Sequence, residues 1–348
     1  MTPHPNHRRF RSGLFGLPLA MLVACSHSDA FTSHDPALTE PLVAGTPTRL
    51  TYNPGPDVSP SWLPDGRAII YSFPITGREA DRCLGIMPAD GGSLSWEICN
   101  RGSFNGDSTD VFDWPAAFGD GRLAYYRTAK RVGTPFVASG PLGIAPLTAP
   151  DSFTTVRTFP FSAGGNFYVA PAFVRWVDAS RLVFIGLFDT DIQPCPTCDF
   201  EAARIGRDIL IADLSGGATI RIGGTDYATS VAVGENSDIL YFTRANSSRV
   251  FRRSLSSGVE TVAHDFDAVG IARDVHVAGG RLAAIVGGKV GVFFNGVVPV
   301  QRDLGGRLFV VELATGAEHE LPVPLRLFRH PALSPAADKL AVEAYPFT

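Results

Sequence analysis

The sequence predicts an all-β fold built by repeating a four-strand unit, and three observations predict it. The first is composition: 36 Gly and 27 Pro accompany 24 Phe and only 3 Met in 348 residues, which suits many short strands joined by tight turns better than long helices. The second is a recurring segment made of a turn residue, a polar residue and an apolar run. It occurs as GRAIIY (66–71), GRLAYY (121–126), SRLVFI (180–185), SDILYF (237–242), GRLAAI (280–285) and DKLAVE (338–343). The third is spacing. These segments start 55, 59, 57, 43 and 58 residues apart, about 54 on average, so six such units fill the chain beyond residue 24. Four strands per unit with Gly, Asp or Ser at the turns is the pattern of a six-bladed β-propeller of four-stranded antiparallel blades.

Taken in chain order, the first element is an address. Arg8, Arg9 and Arg11 precede an apolar stretch of 11 residues, 13–23, too short to cross a bilayer core of ~30 Å as a helix, so residues 1–24 read as an export signal. The segment Leu22-Val23-Ala24-Cys25 resembles the lipobox of bacterial lipoproteins. That resemblance implies diacylglycerol on the Cys25 thiol, cleavage ahead of it, and attachment to the membrane by acyl chains. Ser26 in place of Asp implies sorting to the outer membrane of the cell envelope, facing the periplasm or the surface. Residues 25–46 are mostly small, polar or Pro and read as a tether, leaving 47–348 as the propeller.

Within each unit a strand-like stretch precedes the recurring segment, at 57–62, 110–118, 168–176, 227–233, 271–277 and 330–334, and these read as innermost strands. Third strands follow at 83–92, 142–149, 208–217, 250–258 and 308–316, each ahead of a fourth. The last unit has two strands before Thr348. Residues 48–51, with 42–44 before them, are expected to complete that blade and close the ring by N-terminal strand pairing.

Four cysteines remain after Cys25, an even number in an exported chain, which favours disulfides. A hairpin turning near residue 91 would set Cys83 opposite Cys99, leaving Cys195 and Cys198 to close on each other as a structural staple or, less in keeping with their loop-like surroundings, as a redox pair. Two paired C-x-x-C motifs for zinc are absent.

Asp57-Val58-Ser59-Pro60-Ser61-Trp62-Leu63-Pro64-Asp65-Gly66-Arg67, followed by an apolar strand, is similar to the PD40 or TolB-type repeat, and Arg49-Leu50-Thr51 ahead of it is also typical. His330-Pro331-Ala332-Leu333-Ser334-Pro335 with Asp338-Lys339 matches it in part. The resemblance implies a six-bladed periplasmic propeller that acts mainly as a platform for protein partners at the cell envelope.

In a four-stranded blade the loop from strand two to three and the link to the next blade leave from one face. The length surplus falls there, at 74–82, 128–140, 189–207 and 287–306, so one face is expected to carry long loops. Residues entering the innermost strands open onto it: Asp57, Asp110, Asp113, Asn166, Tyr168, Asp226, Tyr227, Arg273, Asp274, His276, Arg329 and His330. These are candidates for a partner-binding funnel. Short acids in such places also bond the backbone of a turn, and histidines are often satisfied hydrogen-bonders.

With the signal removed, 27 basic residues face 34 acidic ones, net −7, which argues against nucleic acid as a partner. No Gly-x-Ser-x-Gly elbow, His-Glu-x-x-His, phosphate loop or dinucleotide fingerprint is present, and neither acidic cluster, 105–113 or 189–191, fits an EF-hand loop, so no cofactor or metal is expected. Catalysis is the lesser reading. It would be a glycan-binding or glycan-cleaving funnel with acid and base drawn from Asp110, Asp274 and His276, and it would need a carboxyl of perturbed titration in the funnel beside a second carboxyl or His.

Overall fold

The computed structural model describes residues 47–51, 57–76, 78–99, 108–131, 138–159, 171–186, 208–216, 219–287, 289–295, 298–304, 306–322 and 327–345. Among the described residues there is no helix, so none long and apolar enough to cross a membrane. The chain runs through β1 (Val58–Trp62), β2 (Ala68–Ile75), β3 (Arg78–Pro88) and β4 (Trp96–Ile98), then β5 (Ser108–Ala117), β6 (Arg122–Arg131), β7 (Ala138–Pro146) and β8 (Thr154–Phe159). Next come β9 (Ala172–Asp178), β10 (Arg181–Gly186), β11 (Asp208–Asp213) and β12 (Ile220–Arg221), then β13 (Ala228–Val233), β14 (Ile239–Arg244), β15 (Arg249–Ser254) and β16 (Glu260–Asp265). The rest are β17 (Ala272–Ala278), β18 (Arg281–Val286), β19 (Lys289–Asn295), β20 (Val298–Leu304), β21 (Arg307–Glu312), β22 (Glu318–Leu321), β23 (Leu327–Leu333) and β24 (Leu340–Tyr345).

Neighbouring strands pair antiparallel within β9–β12, β13–β16, β17-β18-β21-β22 and β23–β24. The first two units share one sheet, because a single parallel bridge, Arg82 to Val111, ties β3 to β5. The six recurring segments fall on β2, β6, β10, β14, β18 and β24, each the second strand of its group. Their apolar runs are continuous because a neighbouring sheet covers each face: Leu182, Val183, Phe184 and Ile185 are all fully buried. The core is accordingly divided into apolar clusters between successive sheets. One lies between β1–β4 and β5–β7 around Ile70, Leu84 and Tyr125, and another between β9–β11 and β13–β14 around Ile185, Ile209 and Phe242. Trp62, Ile69 and Tyr71 pack against Ala332 and Ala341, so the first and last sheets also share a cluster.

The first strands, β1, β5, β9, β13, β17 and β23, each lie against the next in chain order, and β23 lies against β1. Side chains bridge these contacts. Trp176 Nε1 donates to Ala116 O at 2.8 Å, and Trp62 Nε1 donates to Ala332 O at 2.7 Å across 270 residues of sequence. Every first strand also carries a break in register against its partner. At four of these breaks a non-glycine residue takes a left-handed φ: Ser59 (53°), Trp114 (55°), Phe173 (55°) and His330 (49°). Such backbone is costly for residues with a Cβ, and three of the four, Ser59, Trp114 and His330, stand before proline in the sequence.

Two expectations change. Residues 47–51 form no strand; Arg49 Nε bonds Thr51 O at 2.6 Å, folding the segment on itself, while Leu50 packs on the Trp62 cluster. Residues 42–44 lie outside the described residues. The surplus expected as loops at 74–82, 128–140 and 287–306 is largely β ribbon instead. β2–β3 pair out to Ile75 and Arg78, β6–β7 to Lys130 and Ala138, and β19–β20 pair along their whole length as a separate two-stranded sheet. Backbone that leaves a sheet must find partners for its N–H and C=O groups, and antiparallel pairing supplies them locally. Segment 189–207, with Cys195 and Cys198, lies outside the described residues. The pair Cys83–Cys99 is disulfide-bonded with Cα atoms 4.6 Å apart, and the register Leu84 to Ile98 places the two cysteines opposite each other.

Candidate functional site

The breaks in the first strands bring residues from distant parts of the sequence together. Trp114 of β5, Phe173 of β9 and His330 of β23 meet ring to ring. Trp114 and Phe173 centroids are 4.7 Å apart, Trp114 and His330 4.6 Å edge-on, Phe173 and His330 5.4 Å edge-on. All three hold left-handed φ, which turns each residue out of the regular alternation of its strand.

His330 is fixed from two sides. Its backbone N–H donates to Asp274 Oδ2 at 3.0 Å, and its Nδ1 lies 2.6 Å from Glu343 Oε2, a carboxylate almost wholly buried on β24. Burial works to lower the His330 pKa. The Glu343 carboxylate, by charge and hydrogen bond, with Asp274 behind it, outweighs burial and leaves the imidazole above its ordinary value. His276 sits differently: Leu333 N donates to its Nδ1 at 3.2 Å, and burial, aided by the Arg175 charge, brings its pKa down to about 3, so the ring is neutral. Arg175 itself is brought down to about 10 by burial, opposed by the Asp274 carboxylate.

Of the residues singled out in the sequence, Asp274, His276 and His330 stand in this cluster, and the Arg329 charge acts on His330. Arg273 lies at the β17 register break, its carbonyl accepting from Thr229 Oγ1 at 3.3 Å and from Thr243 Oγ1. Asp113 accepts from Trp114 N at 2.8 Å, the turn-bonding role open to a short acid. Tyr227 is 47% exposed at the entry to β13, Asp226 pairs with Arg221 at 3.1 Å, and Asp57 precedes β1. Asp110 occupies β5 opposite Ala129; Tyr168, Asn166 and Cys25 lie outside the described residues.

Sequence reasoning missed Trp114, Phe173, Arg175 and Glu343. Glu343 had a visible signal. The corresponding last position of the other five recurring segments holds Tyr71, Tyr126, Ile185, Phe242 and Ile285, so a buried carboxylate there breaks the pattern. Arg175 had none, since a polar residue inside a strand reads as solvent-facing.

A carboxyl raised by burial occurs elsewhere. Asp208, at the start of the third strand β11, is brought up to about 6 by burial, with the neighbouring Asp226 adding to the rise and Arg221, its ion-pair partner at 2.7 Å, opposing it. Among the described residues no group of three or more His, Cys, Asp or Glu side chains is placed to hold a metal ion. A cavity of about 160 Å³ lies between the first two units against Ile98, Cys99, Phe112, Tyr125, Arg127 and Asp151, none of them in the His330 cluster.

No protein-family model matches the chain, and no curated protein matches it. Solved structures do. TolB from Acinetobacter baumannii aligns over 80% of this chain at 14% identity and a TM-score of 0.51; the chain spans 63% of that protein's length. A protein described as TolB from Agrobacterium tumefaciens aligns over 86% of this chain and 93% of its own at 15% identity and a TM-score of 0.52. A gluconolactonase from Xanthomonas campestris aligns over 84% of both chains at 14% identity and a TM-score of 0.51. At such identities the likeness concerns the fold, and the chain has the fold of a TolB-like β-propeller.

Proposed function

We propose that the protein is a lipid-anchored, six-bladed propeller of the bacterial cell envelope that serves as a platform for protein partners. In this reading residues 1–24 are a signal peptide, Cys25 carries the lipid, 25–46 form a tether and 47–348 the propeller. Six blades are supported by the order of first-strand contacts from β1 to β23 and back to β1. Closure of the ring is supported by the Trp62 Nε1 bond to Ala332 O and by the apolar cluster that the first and last sheets share.

The observation that carries the platform reading is the asymmetry of the two faces. Turns from first to second strand are tight and backbone-bonded, as at Gly66 N to Leu63 O (2.9 Å) and Ala337 N to Ser334 O (2.8 Å). The ribbons β2–β3, β6–β7 and β19–β20 all leave on the opposite side, between second and third strands. On β19–β20 the register runs unbroken from Lys289 opposite Leu304 to Asn295 opposite Val298. A two-stranded ribbon is marginally stable alone and is stabilised by contact with another surface.

The test is crosslinking of envelope fractions with the wild-type chain and with variants whose segments 128–140 or 289–304 are replaced by short turns. A defined partner captured by the wild type and lost from a folded ribbon variant is expected. Equal capture by all three sinks the reading. The second reading, a glycan-binding or glycan-cleaving funnel, draws on His330 held between Glu343 and Asp274, an arrangement suited to proton transfer. Release of reducing ends from envelope glycans, abolished by His330→Gln, would move the function there.

A further inference from the structure

Arg175 is a cation left incompletely satisfied on the propeller axis. It follows the left-handed Phe173 on β9, and its charge acts on Asp274 and His276 of β17, although β13 stands between those two strands. Arg175 thus lies within electrostatic range of a strand that is not its neighbour. Nη1 donates to the adjacent Val174 O at 2.8 Å, while Nε is buried with no partner. Such an N–H is rare in native folds and calls for an acceptor that the chain does not supply.

The nearby carboxylates are committed elsewhere: Asp274 to His330 N and Glu343 to His330 Nδ1. With Nδ1 engaged by Glu343, the His330 ring packs edge-on against Trp114 and Phe173. The left-handed backbone at all three rings is strain retained at one place, as binding sites retain it.

We infer that the propeller axis carries a binding site for an organic carboxylate, its oxygens on the Arg175 guanidinium and its apolar part against Trp114 and Phe173. A planar guanidinium fork matches a carboxylate. A monoanion also adds only one negative charge beside Asp274 and Glu343, where a phosphate dianion adds two. The site stands apart from the platform reading, since a free acid and the acidic side chain of a bound protein present the same group.

The experiment follows tryptophan fluorescence of the full-length chain titrated with phenylacetate, acetate and inorganic phosphate at constant ionic strength, with sodium chloride as the blank. A saturable change with phenylacetate is expected, weaker with acetate and weakest with phosphate, and absent in Trp114→Phe. Arg175→Leu should weaken binding at least about tenfold, the loss of a charge-assisted hydrogen bond. Arg175→Lys should fall between, and the exposed control Arg252→Leu should match wild type. If phenylacetate behaves as chloride does in the wild type, the inference fails without reference to any variant. It also fails if a folded Arg175→Leu binds normally, if phosphate binds most tightly, or if crystals grown with phenylacetate place only ordered water at Nε. Displacement of a crosslinked envelope partner by phenylacetate would name an acidic side chain as the ligand's source; binding without displacement would name a free acid. Failure to find any partner leaves the titration unaffected, so the two readings fail separately.

Discussion

His276 and His330 pull the pH dependence of stability in opposite directions. The folded pKa of His276, about 3, lies below the ordinary histidine value, so between the two the unfolded chain binds the extra proton and stability falls as pH drops through that window. His276→Asn keeps an acceptor near the Nδ1 position for Leu333 N and removes the titration. The melting temperature of this variant should fall less steeply than that of wild type from pH 6.5 to 4.5. His330 has the opposite sign: its pKa is raised on folding, so its contribution is complete below the unfolded value and is lost as pH rises through the folded one. Asp208 also has its pKa raised, to about 6, so stability falls as pH rises from the ordinary carboxylate value through about 6, where the cost of its burial is fully felt. Asp208→Asn should therefore melt higher than wild type at pH 7.5 and lose the advantage by pH 4.5, with Asp226 still pairing Arg221. A wild-type advantage at pH 7.5 would mean that the Arg221 pair outweighs desolvation.

At the scale of elements, outer strands depend on close backbone approach. A methyl group at Gly143 of β7 would collide with Thr154 O and with the Phe153 ring. Gly143→Ala should cost roughly 1–3 kcal/mol in urea unfolding, with local loss of β8 protection in hydrogen exchange. In the first unit the outer strand β4 is only three residues long and is held by Cys83–Cys99, which spans 16 residues of sequence. Loop-closure entropy for such a span is worth about 3 kcal/mol. Cys83→Ala with Cys99→Ala should lower stability by up to about that amount, and reductant should lower wild type more than this variant. The ribbons show how element type can be misread. Thr128 to Gly140 contains Lys, Arg, Gly and Pro without alternation and so reads as loop, yet its ends continue β6 and β7, because pairing with the opposite strand satisfies the backbone whatever the side chains.

For the whole molecule, the junction between first and last sheets decides whether the ring behaves as one body. Trp62 to Ala332 repeats, across 270 residues, the bond that Trp176 makes to Ala116 between consecutive units. If both junctions carry equal weight, Trp62→Phe and Trp176→Phe should each cost about 1–2 kcal/mol in the same unfolding transition. A Trp62→Phe variant as stable as wild type, beside a destabilised Trp176→Phe, would mean that the ends meet without being joined.

The sequence by itself determined the strand order and the recurring unit, because a second strand covered on both faces must be a continuous apolar run and the turn beside it must carry Gly, Asp or Ser. It also indicated the partners of Cys83 and Cys99, since a hairpin is local. The position of Arg175 against Asp274, of Glu343 against His330, and of Trp114 against both Phe173 and His330 was decided only by the tertiary structure. Local pattern specifies strands, but residues from separate units meet only where their first strands converge. The left-handed turns that aim them there leave no period in the sequence.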